Sequence, residues 1–154
     1  MREMLKPEYI FTNQQPASER LEDALKLIGE KCSIYAKVKP AKLTKAFLKR
    51  EKMDSTGFGE HLAIPHAKVK GLENPMIAIF RFTNGVEWNS VDGKLVKVAI
   101  ALIMPDKDED NTHLVVLAKL SRKLMHEAFM KALLELEGKA ELYEFIIKEM
   151  GEES

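Results

Sequence analysis

The chain has 154 residues, which is enough for a single domain with a sizeable buried core, and we expect one domain over residues 1–154. Its 24 Lys and Arg residues balance 24 Asp and Glu residues, with both signs spread along the chain, so bulk charge favours neither nucleic acid nor an anionic membrane as partner. The single cysteine, Cys32, excludes an intramolecular disulfide and fits a reducing compartment. The longest clean apolar run, 98–104, is too short to cross a bilayer. We therefore expect a cytoplasmic protein without direct membrane insertion.

The first third of the chain predicts one strand followed by two helices. The segment YIFT (9–12) has the composition of a strand. Apolar residues then recur at helical spacing after Pro16, at Leu21, Leu25, Ile28 and Cys32. A second helix is predicted from about Pro40 to Lys52, and the turn-rich segment DSTGFG ends it.

The middle of the chain predicts strands. A short strand is expected at 62–64, and MIAIFRFT (76–83) is apolar on both faces, as a buried central strand is. The pair Asn84–Gly85 is a hairpin signal, so GVEW (85–88) is predicted as a separate short strand. A turn at Asp92–Gly93 then leads to a long buried strand that ends near Met104.

The last third predicts three helices. The first carries an apolar stripe from Leu114 to Met125, with Asn111 or Thr112 as its N-cap. Two further apolar faces are separated by Gly138. Strands clustered between helices predict a layered α/β domain, with a mixed parallel and antiparallel sheet flanked by helices.

The segment GEHLAIPHAK (59–68) contains two histidines, and their spacing does not favour a metal pair. His61 and His66 are five residues apart, which places them on different faces of either a helix or a strand, and Pro65 makes a helix unfavourable here. The preceding STGFGEHL lacks the third glycine of a dinucleotide fingerprint and the Gly-Lys-Ser/Thr end of a P-loop. Neither a metal nor a nucleotide cofactor is therefore expected, although remote ligands leave a zinc site open.

His66 has the local setting of a histidine that acts covalently. Pro65 stiffens the backbone before it, and Ile64 is driven to an extended conformation, which places His66 at the end of a strand. A phosphoryl-accepting imidazole needs a neutral ring, a partner for its second nitrogen and cationic neighbours. The residues alone leave both a nucleophile and an ordinary polar histidine open.

Three segments together resemble a known family. They are REKMDSTGFGEHLAIPH (50–66), VEWNSVDGKLVKVAIALIMP (86–105) and HLVVLAKLSRKL (113–124). The chain resembles the IIA component of the bacterial phosphoenolpyruvate-dependent sugar phosphotransferase system, in the fructose/mannitol branch that includes the nitrogen-regulatory IIA proteins. The resemblance extends from the first helix to about residue 148.

The resemblance implies a role for His66 and for its neighbours. His66 would accept a phosphoryl group, as tele-phosphohistidine, from the histidine phosphocarrier protein and pass it to a cysteine of a IIB component, whose IIC partner lies in the membrane. No metal or nucleotide would take part. Arg50 and His113 would border the phosphorylation site, and Glu60 would lie close by.

The chemistry of these side chains agrees with such roles and leaves simpler alternatives open. The fork of Arg50 suits phosphate oxygens, although it can also pair with Glu51. His113 is expected in the first turn of its helix, where an anion is favoured. Ser55 and Thr56 can donate to a phosphate or simply shape the turn. His61 stands where relatives usually have a small residue, and we expect it at the rim of the site.

Three functions follow as hypotheses. The first is a phosphohistidine carrier for sugar uptake that reaches its IIB partner by docking. The second is a regulatory module whose phosphorylation state controls binding to another protein. The third is a zinc-dependent hydrolase that uses His61, His66 and His113.

Overall fold

The computed structural model describes residues 2–107 and 111–151, which form a six-stranded sheet with helices on both faces. The strands are β1 (Ile10–Gln14), β2 (Gly57–Gly59), β3 (Leu62–Ala63), β4 (His66–Val69), β5 (Met76–Val86) and β6 (Val96–Pro105). The helices are α1 (Leu21–Ala36), α2 (Pro40–Met53), α3 (Thr112–Lys123), α4 (Glu127–Glu135) and α5 (Lys139–Gly151), and a 3-10 turn, Pro7–Tyr9, precedes β1.

The sheet mixes parallel and antiparallel pairs, which confirms the predicted α/β class. Its order is β1-β5-β6-β3-β2, and β4 also pairs with β6. The pairs β1/β5, β3/β6 and β4/β6 are parallel, whereas β5/β6 and β2/β3 are antiparallel. Strands β3 and β4 follow one another along the same edge of β6, and the two residues between them are Ile64 and Pro65.

The two central strands are buried on both faces, because helices cover each side of the sheet. Alternate residues of β6 face opposite ways: Ile100 and Leu102 pack in a cluster with α3, α4 and α5. Ala99 and Ala101 face α1 and α2, where Phe47 belongs to the same cluster. Small residues in β6 therefore leave room for a large aromatic ring under α2.

The predicted hairpin at Asn84–Gly85 is wrong, and so is the separate strand at 85–88. Strand β5 continues through Gly85 to Val86, which pairs with Val96, and the chain reverses later, where Gly93 N donates to Ser90 O at 3.0 Å. A Cβ on Gly85 would lie 2.6 Å from Cβ of Leu95. This glycine therefore serves close packing between strands, while the predicted turn at Asp92–Gly93 is confirmed.

Strands β2 and β4 were not predicted. β2 and β3 form a hairpin whose two turn residues, Glu60 and His61, both have positive φ, at +54° and +68°. That geometry suits a two-residue hairpin and normally selects Gly or Asn. The side chain of Asp92 steadies the turn, because its Oδ2 accepts a hydrogen bond from Glu60 N at 2.8 Å.

Helix α3 begins close to the predicted position. Asn111 is the residue before it, but its backbone is left-handed, with φ of +53°, and its side chain makes no capping hydrogen bond. The predicted place of the cap is confirmed, and its predicted side-chain contact is not formed.

Candidate phosphoryl-accepting site

His66 is held in one tautomer by hydrogen bonds to both ring nitrogens. Its Nδ1 lies 2.9 Å from the carbonyl oxygen of Ile64, which can only accept, so Nδ1 carries the proton. Nε2 then presents its lone pair, which accepts a hydrogen bond from Arg50 Nε at 2.9 Å. His66 opens β4 rather than ending a strand as we expected, because the Ile64–Pro65 interruption precedes it.

The surroundings of His66 keep its imidazole neutral. Burial is the main cause that lowers the pKa of His66 below its ordinary value, and the charges of Arg50 and His113 lower this pKa further. The hydrogen bond to the Ile64 carbonyl acts in the opposite direction. A neutral ring with a free Nε2 lone pair is the form in which an imidazole is a nucleophile.

Arg50 lies near the end of α2 and links that helix to the histidine. Its Nη1 donates to the carbonyl of Asp54 at 2.7 Å, beyond the last helical residue. It makes no salt bridge with Glu51, so the alternative that we considered for its charge is not the arrangement in the described residues. The guanidinium is therefore fixed beside Nε2 of His66.

Arg50, His66 and His113 line one cleft of about 390 Å³. His113 is the second residue of α3, as predicted, so free amide groups of the first helical turn lie nearby. The cleft is completed by Ala46, Lys49, Met53, Ala67, Lys68 and Met104. Three cations, Lys49, Arg50 and Lys68, and a helix N-terminus thus line the cleft around a neutral imidazole, which suits a phosphoryl group.

The other predicted neighbours lie outside this cleft. The hydroxyl of Ser55 donates to the carbonyl of Trp88 at 2.9 Å, and the hydroxyl of Thr56 donates to Glu51. The Glu60 carboxylate accepts from Lys94 Nζ at 3.1 Å. In this structure all three side chains contact other parts of the protein, and their roles beside a phosphate stay predictions.

His61 does not share the cleft with His66. Its Nδ1 lies 2.8 Å from the carbonyl oxygen of Leu95, and its ring lines a separate groove with Arg81 and Lys97. We expected His61 at the rim of the site. The hairpin between β2 and β3 instead places it in another groove.

Glu51 is a positioning residue that the sequence did not reveal to us. Its carboxylate accepts hydrogen bonds from the Thr56 amide at 3.0 Å, from the Thr56 hydroxyl and from Trp88 Nε1 at 3.2 Å. The carbonyl of Thr56 in turn accepts from Ile64 N at 3.0 Å, and Ile64 O holds His66. The available signal for this network was Trp88, because a tryptophan that is fully buried, as this one is, needs a partner for its indole N–H.

In 2–107 and 111–151, no cluster of three or more His, Cys, Asp or Glu side chains is arranged to hold a metal ion. None of the helices in this part of the chain has the length and apolar character needed to cross a bilayer.

Comparison with known proteins covers almost the whole chain. Residues 3–149 match the family model described as "Phosphoenolpyruvate-dependent sugar phosphotransferase system, EIIA 2". The fructose-specific EIIABC component of Bacillus subtilis (strain 168) is 42% identical over 101 residues, which are 66% of this chain and only 16% of that protein. The nitrogen regulatory protein of Escherichia coli (strain K12) is 30% identical over 129 residues, which are 83% of this chain and 78% of that protein.

Solved structures show the same fold. The nitrogen regulatory protein IIA-Ntr from Neisseria meningitidis matches with a TM-score of 0.85 and 25% identity, over 94% of this chain and 97% of that one. Mannitol IIA from Escherichia coli, in its complex with phosphorylated mannitol IIB, matches with a TM-score of 0.73 and 21% identity, over 97% and 99% of the two chains. The chain belongs to the EIIA type 2 family of the phosphoenolpyruvate-dependent sugar phosphotransferase system.

Proposed function

We propose that this protein is a cytoplasmic, reversible phosphohistidine carrier in which Nε2 of His66 accepts and donates the phosphoryl group. The donor is the phosphohistidine of the histidine phosphocarrier protein, and the acceptor is a cysteine of a IIB component that serves a IIC membrane partner in sugar uptake of the fructose/mannitol type. One observation carries the proposal. Nδ1 of His66 is occupied by the Ile64 carbonyl, so Nε2 is the unprotonated nitrogen, and its lone pair accepts a hydrogen bond from Arg50.

The geometry supports transfer without a separate proton acceptor. The Nε2 lone pair attacks phosphorus, and the bond between phosphorus and the donor's ring nitrogen breaks, so the donor recovers its lone pair. Nδ1 of His66 keeps its proton, and the Ile64 carbonyl stabilises the imidazolium that forms. Little covalent chemistry remains for the protein, and positioning and charge stabilisation supply most of the catalysis.

Arg50 has two successive partners in this scheme. In the unphosphorylated protein it donates to Nε2 of His66. Once Nε2 bonds to phosphorus, that acceptor is lost, and the guanidinium donates to the phosphoryl oxygens instead. Onward transfer begins when the thiolate of the IIB cysteine attacks phosphorus and Nε2 leaves with its electron pair.

A regulatory role is the second candidate. The similarity to nitrogen regulatory proteins extends over 83% of this chain, more than the 66% covered by the fructose-specific relative. In that role the phosphorylation of His66 would switch binding to another protein, and the label would stay on His66 rather than pass to a IIB cysteine.

Labelling from radioactive phosphoenolpyruvate tests the shared step. In the presence of the first enzyme and the histidine phosphocarrier protein, we expect the wild-type chain to be labelled and His66→Ala to remain unlabelled. His61→Ala is the matched control, since it removes the other imidazole of the same segment, and it should label normally. Undiminished labelling of His66→Ala would refute the proposal. Adding candidate IIB proteins then separates the two roles, because a carrier loses its label to them.

A further inference from the structure

The charges of this chain are balanced in total but not in space. Residues 26–53 contain nine Lys and Arg residues and only two acidic ones, Glu30 and Glu51, whereas the whole chain contains 24 of each sign. The even distribution that we expected from the totals is therefore wrong for this segment, although the first turn of α1 before it carries Glu22 and Asp23. Since Glu51 is occupied by Thr56 and Trp88, the exposed charged side chains of α2 are all basic.

A groove of about 640 Å³ runs along this basic surface between α1 and α2. Its apolar floor includes Pro40, Ala41 and Leu48. From Pro40 to Lys52 the groove follows α2 over thirteen residues, which is about 18 Å at the helical rise. Its length and apolar floor suit a short amphipathic helix, which binds by laying its apolar face in such a groove.

Four lysines and one glutamate border the groove, which gives it a net positive charge: Lys26 and Glu30 on α1, and Lys45, Lys49 and Lys52 on α2. Within the part of the chain that the structure describes, none of these four ammonium groups forms a salt bridge or a hydrogen bond. Like charges held this close on one surface repel one another, and carboxylates on a partner would relieve that repulsion.

We propose that the groove between α1 and α2 binds an acidic amphipathic helix of a partner protein. The apolar floor argues for a protein rather than for nucleic acid, whose charged backbone gains nothing from burying Leu48 and Ala41. The concave shape argues against a lipid surface, which is bound by a protruding apolar face. Lys49 lines both this groove and the His66 cleft, so the bound helix lies against the cleft.

A defined peptide tests the proposal on the unphosphorylated full chain. The probe is a fluorescent 18-residue peptide with leucines at helical spacing and glutamates on both flanks. Two matched peptides accompany it, one with lysine in place of every glutamate and one with the same residues scrambled. We expect the acidic amphipathic peptide to bind at least tenfold more tightly than either, and to shift the amide resonances of Thr44 and Leu48.

Lysine variants assign the binding to the groove. The triple variant Lys26→Ala, Lys45→Ala, Lys52→Ala should bind the acidic peptide about tenfold more weakly, because three of the four flanking lysines are gone while Glu30 remains. The triple variant Lys131→Ala, Lys139→Ala, Lys148→Ala removes the same charge from exposed positions of α4 and α5 and should change affinity less than twofold.

Three outcomes would overturn the inference. One is equal binding of the acidic and scrambled peptides, and another is equal weakening by the two triple variants. The third is tighter binding of a 20-nucleotide single strand or of phosphatidylserine vesicles than of the acidic peptide, lost in the groove variant, which would assign the surface to nucleic acid or membrane. Labelling of His66 enters none of these measurements, so the proposed phosphoryl transfer stands or falls separately.

Discussion

Nε of Arg50 lies 2.9 Å from Nε2 of His66, so the charge that a phosphoryl group needs is already at the atom that would receive it. In the ground state this hydrogen bond also consumes the lone pair that must attack. The contribution of Arg50 is therefore expected to appear in transfer and in the phosphorylated state more than in the folding of the unphosphorylated chain.

We predict that Arg50→Ala lowers the rate of phosphoryl transfer by about 10²- to 10³-fold, the usual loss when one preorganised donor to a developing charge is removed. The transfer rate of Arg50→Lys should lie between those of the wild type and Arg50→Ala, because lysine keeps the charge without the planar fork. The rate is measured with the donor in excess, and thermal unfolding is followed in parallel. Lys49→Ala, in the same cleft, is the control and should lose far less. If Arg50→Ala unfolded at a much lower temperature while each folded molecule transferred normally, Arg50 would be structural.

The pH dependence follows from the lowered pKa of His66. The folded ring binds its proton less readily than the unfolded one, whose pKa is roughly 6.5. Unfolding is therefore favoured as pH falls from about 6.5 through the folded pKa, and the stability from the neutral ring is fully present only above 6.5. We expect the free energy of unfolding of the wild type to fall, relative to that of His66→Gln, over this interval. A ring titration by NMR gives the folded pKa directly, and a value above 6.5 would contradict the prediction.

Glu51→Gln tests the positioning network. The amide can accept from only one or two of the three donors that the carboxylate now satisfies, and its NH₂ group faces the remaining one. We predict a loss of about 1–3 kcal/mol in the free energy of unfolding, the usual cost of an unsatisfied buried donor. Transfer per folded molecule should also fall, since this carboxylate holds Thr56, whose carbonyl holds Ile64, and the Ile64 carbonyl in turn holds His66. Glu144→Gln, on the exposed face of α5, should change neither quantity.

Arg81 should matter for stability alone. From β5 its guanidinium donates to the carbonyls of Leu133, at 2.6 and 2.8 Å, and to those of Ala132 and Leu136 at the end of α4. Replacement by Met leaves these carbonyls without their donor and without a cation at the helix C-terminus, so we expect a loss of about 2–4 kcal/mol by chemical denaturation. Lys131→Met, at an exposed position of α4, is the control. Slower phosphoryl transfer by folded Arg81→Met would show a wider role.

The long elements could be predicted because their patterns extend over many residues. Helices α1, α2 and α3 carry apolar stripes of several turns, and β5 and β6 are apolar on both faces. Strands β2 and β4, of three and four residues, are too short for a period to emerge. At Gly85 a strong local turn signal was overridden by packing against Leu95, which lies ten residues away in sequence.

The site was predicted unevenly for a related reason. The segment around His66 is continuous in sequence, so its residues could be identified together, and the resemblance added Arg50 and His113 from remote segments. Glu51 contacts Thr56, five residues away, and Trp88, 37 residues away. No local sequence pattern predicts the second contact. The basic groove was hidden because whole-chain charge totals average the basic segment 26–53 with the rest.

Cys32 is buried in α1, in the same cluster as Phe47 of α2, and burial raises the pKa of its thiol to about 12. Such a thiol is almost entirely protonated at neutral pH and sheltered from reagents, so alkylation requires α1 to separate from the sheet. Cys32 is the sole cysteine of the chain, so all alkylation of cysteine occurs at this position. The fraction of molecules that gain the reagent's mass in a brief pulse therefore measures the frequency of these openings without an engineered label. The rate of Cys32 alkylation therefore reports how often the helical layer that carries Arg50 opens. A ligand bound between α1 and α2 should lower this rate.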